Sequence, residues 1–100
     1  MAKAVHMMVR VLHEDKSVDF YKKVFGLDVE DRFEFDGFTL VYLKNPENDF
    51  EVELTVNHDQ QEAYTHGSGY GHLAVSVEDV DAEQSRVSAL GVEPTPVKDF

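Results

Sequence analysis

Five histidines, twenty carboxylates and no cysteine define the chemistry open to this chain. Without thiols there is no disulfide frame and no thiolate metal site. Any cation must be held by imidazole nitrogen and carboxylate oxygen, a donor set suited to borderline divalent ions. The segments that carry such groups alternate in type. Val5 to Leu12 puts Val5, Met7, Val9 and Val11 on one parity and His6, Met8, Arg10 and Leu12 on the other. Phe50 to Asn57 likewise sets Val52, Leu54 and Val56 against Glu51, Glu53, Thr55 and Asn57. His72 to Val77 keeps its valines on one parity and His72 with Ser76 on the other. Period-2 patterning of this kind makes strands with one apolar and one polar face. With the apolar rows packed under helices, the polar rows line a concave sheet surface. There His6, Glu53 and His72 form three ligands of a divalent site for which nickel, zinc, cobalt and iron are admissible.

Each of these residues also has a plainer reading. His6 suits a solvated strand, Glu53 suits a wet row shared with Glu51, Arg10 suits a counter-charge on an acidic surface, and Asn57 suits the start of a loop. His13, His58 and His66 sit in polar stretches and read as solvated. Phe20, Tyr21, Phe25, Phe33, Phe35, Phe38 and Tyr42 read as core or groove wall.

The elements that must position these groups follow in order as strand, helix, strand, strand, strand. From Glu14 or Asp15 the apolar residues Val18, Phe20, Tyr21, Val24 and Phe25 recur at helical spacing, with acids in the first turn and Gly26 placed to end the helix. Val29–Phe35 and Phe38–Leu43 flank Asp36-Gly37, a dipeptide that predicts a hairpin closed by a two-residue type I′ turn. Asn45 to Asp49 breaks the pattern as a loop, and His58 to Gly69 reads as a linker.

Beyond the linker the chain repeats itself. His6-Met7-Met8-Val9-Arg10-Val11 aligns with His72-Leu73-Ala74-Val75-Ser76-Val77, and Gly26 aligns with Gly91 one residue closer. Each copy runs from a histidine-led strand through an acidic turn into a glycine-ended helix, which points to internal duplication. The domain organisation expected is a first module over residues 1–57, a linker over 58–69 and the start of a second module over 70–100. The counterpart of Glu53 in that second copy falls beyond Phe100, so we expect a truncated second module that stops after its helix and part of its second strand, the alternative being that a partner chain supplies the missing strands and carboxylate.

Composition narrows the partners. A net charge of −11 with nine scattered bases opposes nucleic-acid binding, which needs gathered Lys and Arg. The longest apolar run falls well short of the roughly 20 residues of a membrane helix, and the start carries no hydrophobic signal core. The absence of cysteine favours the cytoplasm. A monomer of this size buries only about 60 to 70% of its unfolded surface, so a symmetric partner adds useful core.

The segments His6 to Val11, Ser17-Val18-Asp19-Phe20-Tyr21 with Val24-Phe25-Gly26-Leu27, Glu53-Leu54-Thr55-Val56-Asn57, and Tyr70-Gly71-His72 to Val77 together resemble glyoxalase I, the lactoylglutathione lyases of the vicinal oxygen chelate superfamily. The likeness runs from residue 5 to about 91. The helix motif is common to the superfamily, while the Glu53–Asn57 and Tyr70–His72 segments are more particular to glyoxalase I. The resemblance implies an α+β fold of paired βαβββ modules and a homodimer whose subunits share each metal site. It implies His6 and Glu53 as metal ligands from one subunit and His72 from the other; the second-copy glutamate that is fourth ligand and proton-shuttling base in the family falls beyond Phe100, which leaves Glu53 as the candidate catalytic base in this chain. Arg10 and Asn57, with Thr55 beside them, are implied as residues that bind the glutathione moiety. The compact bacterial type suggests nickel, with zinc also compatible. The implied activity is isomerisation of the glutathione–methylglyoxal hemithioacetal to S-lactoylglutathione. Other superfamily enzymes (dioxygenase, epimerase, thiol transferase), a non-catalytic small-molecule binder and an inactive truncated product are the alternatives.

Overall fold

The computed structural model describes residues 1–99, in two compact units, Met1–Thr65 and a second beginning at His66. The first unit contains β1 (His6–Arg10), α1 (Glu14–Phe25), β2 (Asp28–Phe35), β3 (Phe38–Lys44) and β4 (Glu51–Asn57), which is the βαβββ order read from the sequence. Its sheet has the order β1-β4-β3-β2. β1 runs parallel to β4, a pairing that needs the intervening helix and hairpin as its crossover. The other two pairings are antiparallel.

Local chemistry explains each element. The first turn of α1 carries Glu14 and Asp15 and its last carries Lys22 and Lys23, each complementary to the helix dipole. Gly26 ends the helix in the left-handed region at φ 66°, where its N–H reaches the Lys22 carbonyl at 2.9 Å and the Leu27 N–H reaches that of Tyr21 at 3.2 Å. Lys22 also pairs with Asp28, and Arg32 binds both carboxylate oxygens of Glu14 at 2.7 and 3.0 Å, tying β2 to the start of α1.

The hairpin forms where expected, with Phe35 opposite Phe38, but its turn is not type I′. Among the described residues none other than glycine has positive φ, so Asp36 does not adopt the left-handed conformation that type I′ requires, and of the two turn residues Gly37 alone has positive φ, at 90°. A β-bulge interrupts the β2–β3 ladder between Val29 and Asp31.

The core lies between the sheet and α1. Val41, Leu43, Val52 and Leu54 form it, and Val11, Val18, Tyr21 and Leu27 pack against it. Burial of each such aliphatic side chain contributes about 1.5 to 3 kcal/mol. Thr39 is buried on the same strand face, and its hydroxyl pairs with His58 Nε2 at 2.8 Å, so His58 is tied to the sheet rather than simply solvated.

In the second unit, α2 spans Val80–Ala89. Asp79 caps its N-terminus by accepting from the Ala82 N–H at 3.0 Å. Its C-terminus closes with Gly91 N–H to Ser88 O at 3.1 Å and Val92 N–H to Val87 O at 3.2 Å, the paired return bonds that a glycine at φ 85° permits. The strand expected over His72–Val77 is not formed. A strand exists by pairing: β1 has β4 beside it, whereas no ladder partner meets 72–77 among the described residues. Leu73, Val75 and Val77 consequently stay exposed.

Candidate functional site

Strand alternation and the pairing register place a defined set of side chains on the sheet face away from the core. In β1 these are His6, Met8 and Arg10; the register sets His6 against Glu51, Met8 against Glu53 and Arg10 against Thr55. In β3 the same face carries Phe38, Leu40 and Tyr42, opposite Asn57, Thr55 and Glu53. The first unit thus gathers five of the six expected site residues, His6, Arg10, Glu53, Thr55 and Asn57, on one face. His72, in the second unit, lies in an exposed stretch without regular secondary structure.

Glu53 is at the centre of this face. The wet-row reading does not hold for it, because it is only 7% exposed. A buried carboxylate needs polar partners to offset the loss of hydration. It has two: His6 Nε2 lies 3.1 Å from Oε1, and the Tyr42 hydroxyl donates to Oε2 at 3.2 Å. The Tyr42 ring meets His6 edge-on with centroids 5.7 Å apart. Burial, and next the hydrogen bond to Glu53, raise the Tyr42 phenol above its ordinary value. Thr55 is also buried at 7%, and its neighbour Arg10 is exposed at the end of β1.

Two donors bound to one ion at about 2.0 to 2.2 Å lie roughly 3 Å apart, so the His6–Glu53 pair has the separation and the nitrogen–oxygen chemistry of two ligands on a borderline cation. Among the described residues no group of three His, Cys, Asp or Glu is gathered. The first unit therefore brings two candidate ligands together, His6 and Glu53.

Two residues of this face were not legible as functional in the sequence. Tyr42 reads as groove wall, and its role becomes visible only through the β3–β4 register that sets it opposite Glu53. Tyr64 lies in the stretch read as linker, yet its hydroxyl donates to Asn57 Oδ1 at 3.2 Å and so engages the amide oxygen. The wall reading of the other aromatics holds in part. Phe33 meets Tyr42 edge-on at 6.1 Å, and Phe35 stacks on Phe38 at 5.0 Å, forming an apolar border to the polar centre.

This fold and face define a class. Residues 3–99 match the model of the Glyoxalase/Bleomycin resistance protein/Dioxygenase superfamily, and the chain belongs to that family. Its relatives are more particular. A lactoylglutathione lyase of Haemophilus influenzae is 37% identical over 103 residues, covering 94% of this chain and 75% of that enzyme. One of Neisseria meningitidis is 41% identical over 91 residues, covering 87% of this chain and 65% of that enzyme, just under two thirds of its length. Among solved structures, the trypanothione-dependent glyoxalase I of Leishmania major superposes with a TM-score of 0.85 at 31% identity, over all of this chain and 73% of its own. The glyoxalase I resemblance read from the sequence is thereby borne out, as are the α+β fold class and the enzyme class it implied.

Proposed function

We propose that this chain contributes the active site of a lactoylglutathione lyase, isomerising the hemithioacetal of glutathione and methylglyoxal to S-lactoylglutathione. The observation that carries this reading is the buried Glu53 carboxylate facing the His6 imidazole on the open face of a βαβββ sheet. His6 and Glu53 would hold a divalent cation, nickel or zinc, with His72 of a second subunit as a third protein ligand in a homodimer. The organisation into a module over 1–57, a linker over 58–69 and a second module from 70 belongs to the same proposal, as does a cytoplasmic location. No helix among the described residues is long and apolar enough to cross a membrane.

The reaction moves a proton from C1 to C2 of the hemithioacetal and the hydroxyl proton from the C1 oxygen to the C2 oxygen, so that C1 becomes the thioester carbonyl and C2 the alcohol. A divalent cation supplies Lewis-acid stabilisation of the negative charge that develops on the substrate oxygens, an effect of several kcal/mol. The chain's own residues do the rest. Glu53 takes the C1 proton on its carboxylate and returns it at C2, and the surrounding burial keeps bulk water from exchanging it. Arg10 pairs with a glutathione carboxylate, the Asn57 amide donates to the same moiety, and Thr55 lies beside Arg10 on the same sheet face. The apolar border formed by Phe33, Phe35 and Phe38 accepts the methyl end of the substrate.

The test is an ultraviolet assay of thioester formation from the hemithioacetal, with nickel or zinc added to metal-stripped protein. Turnover is expected, with a loss of at least 100-fold in kcat for Glu53→Gln. No turnover with any divalent metal rejects the reading.

A further inference from the structure

The Tyr42–Glu53 hydrogen bond has no counterpart in the roles assigned so far. Glu53 is held from two sides: Oε1 faces His6 Nε2 at 3.1 Å, and Oε2 accepts from the Tyr42 hydroxyl at 3.2 Å. A glutamate side chain rotates freely about its terminal torsion unless both oxygens are engaged. Among the described residues no lysine or arginine bonds to this carboxylate, and the phenol is its one fixed donor besides the imidazole. The phenol is itself fixed. Its ring stands on β3 directly opposite Glu53 and is wedged edge-on between His6 at 5.7 Å and Phe33 at 6.1 Å.

We infer that Tyr42 is a positioning residue that holds the Glu53 carboxylate with one oxygen turned to His6 and the other withdrawn from the ligand position, so that Glu53 presents a single oxygen to the cation. This inference rests on the proposed function and adds to it the residue that sets how Glu53 binds. Partners that orient ligating groups commonly change metal affinity or activity by 10- to 100-fold when removed. Tyr42 does not touch the reacting atoms, so its loss acts through Glu53.

Tyr42→Phe deletes the hydroxyl and keeps the ring, and Phe33→Leu loosens the same packing while keeping the hydroxyl. The metal-stripped full chain and both variants are titrated with cobalt(II), with the visible spectrum of the bound ion and the thermal midpoint recorded. Tyr42→Phe is expected to weaken cobalt binding by about 10-fold or more and to change the ligand-field bands, with the thermal midpoint still well above the titration temperature. In the hemithioacetal assay its kcat falls while KM stays within about twofold. Phe33→Leu is expected to keep the wild-type cobalt spectrum. Wild-type affinity and bands in Tyr42→Phe overturn the inference while leaving the His6–Glu53 site standing. An equal spectral change in Phe33→Leu also overturns it, because packing rather than the hydroxyl is then responsible. Failure of the wild-type chain to bind cobalt overturns the underlying reading and this inference together.

Discussion

At the scale of single residues, the buried phenol offers a direct check. Burial and the hydrogen bond to Glu53 raise the Tyr42 pKa above the ordinary 10.0, so the folded protein holds this proton at pH values where the unfolded chain releases it. The stabilisation is therefore present in full below pH 10 and disappears as pH rises through the folded value. Tyr42→Phe is expected to remove a late step from an alkaline absorbance titration. A titration that is the same with and without the Tyr42 hydroxyl contradicts the half-buried, hydrogen-bonded placement of Tyr42 at the site. His6, Arg10, Glu53, Thr55 and Asn57 were legible because parity along two strands puts them on one face, and the β1–β4 register then aligns them. Tyr42 and Tyr64 were not, since a hydrogen bond across a ladder or from a loop leaves no periodic trace in sequence.

At the scale of elements, helix α1 was legible to the residue because its stop depends on one left-handed glycine. A Cβ at Gly26 meets nothing within 4 Å, so a substitution there pays only for its backbone conformation. Gly26→Ala is expected to destabilise the chain by about 1 to 2 kcal/mol. Gly69, with no positive φ and equally open surroundings, is expected to tolerate alanine with no loss. Urea denaturation of the two variants checks both outcomes, and equal stabilities would show that the left-handed cap is not what ends the helix. The hairpin was legible in place but not in turn type, because Asp-Gly suits several turns and only the backbone shows that Gly37 alone takes positive φ. The strand expected over His72–Val77 failed for a different reason. Alternation records which faces a segment could present, whereas a ladder requires a partner with free backbone groups, and that is a property of the neighbouring chain rather than of these residues.

At the scale of the whole molecule, the internal repeat and the family membership bear on the same question. The first unit brings one imidazole and one carboxylate together, while the repeat-related His72 sits in the second unit with Leu73, Val75 and Val77 exposed around it. A net charge of −11 makes close approach of two such chains unfavourable unless apolar contact or a shared cation offsets the repulsion. Leu73, Val75 and Val77 offer exposed apolar surface beside His72 for such an encounter, so the proposed assembly and the proposed metal site are tested together. The central claim is that His6 and Glu53 of one chain and His72 of another hold one divalent ion. Calorimetric nickel titration of His6→Ala and His72→Ala, separately and after refolding the two together, tests it most directly. The account predicts that neither variant alone binds with wild-type affinity and that the mixture regains tight binding, because one of its two shared sites is then intact. Wild-type affinity in His72→Ala alone, or no recovery on mixing, would contradict it.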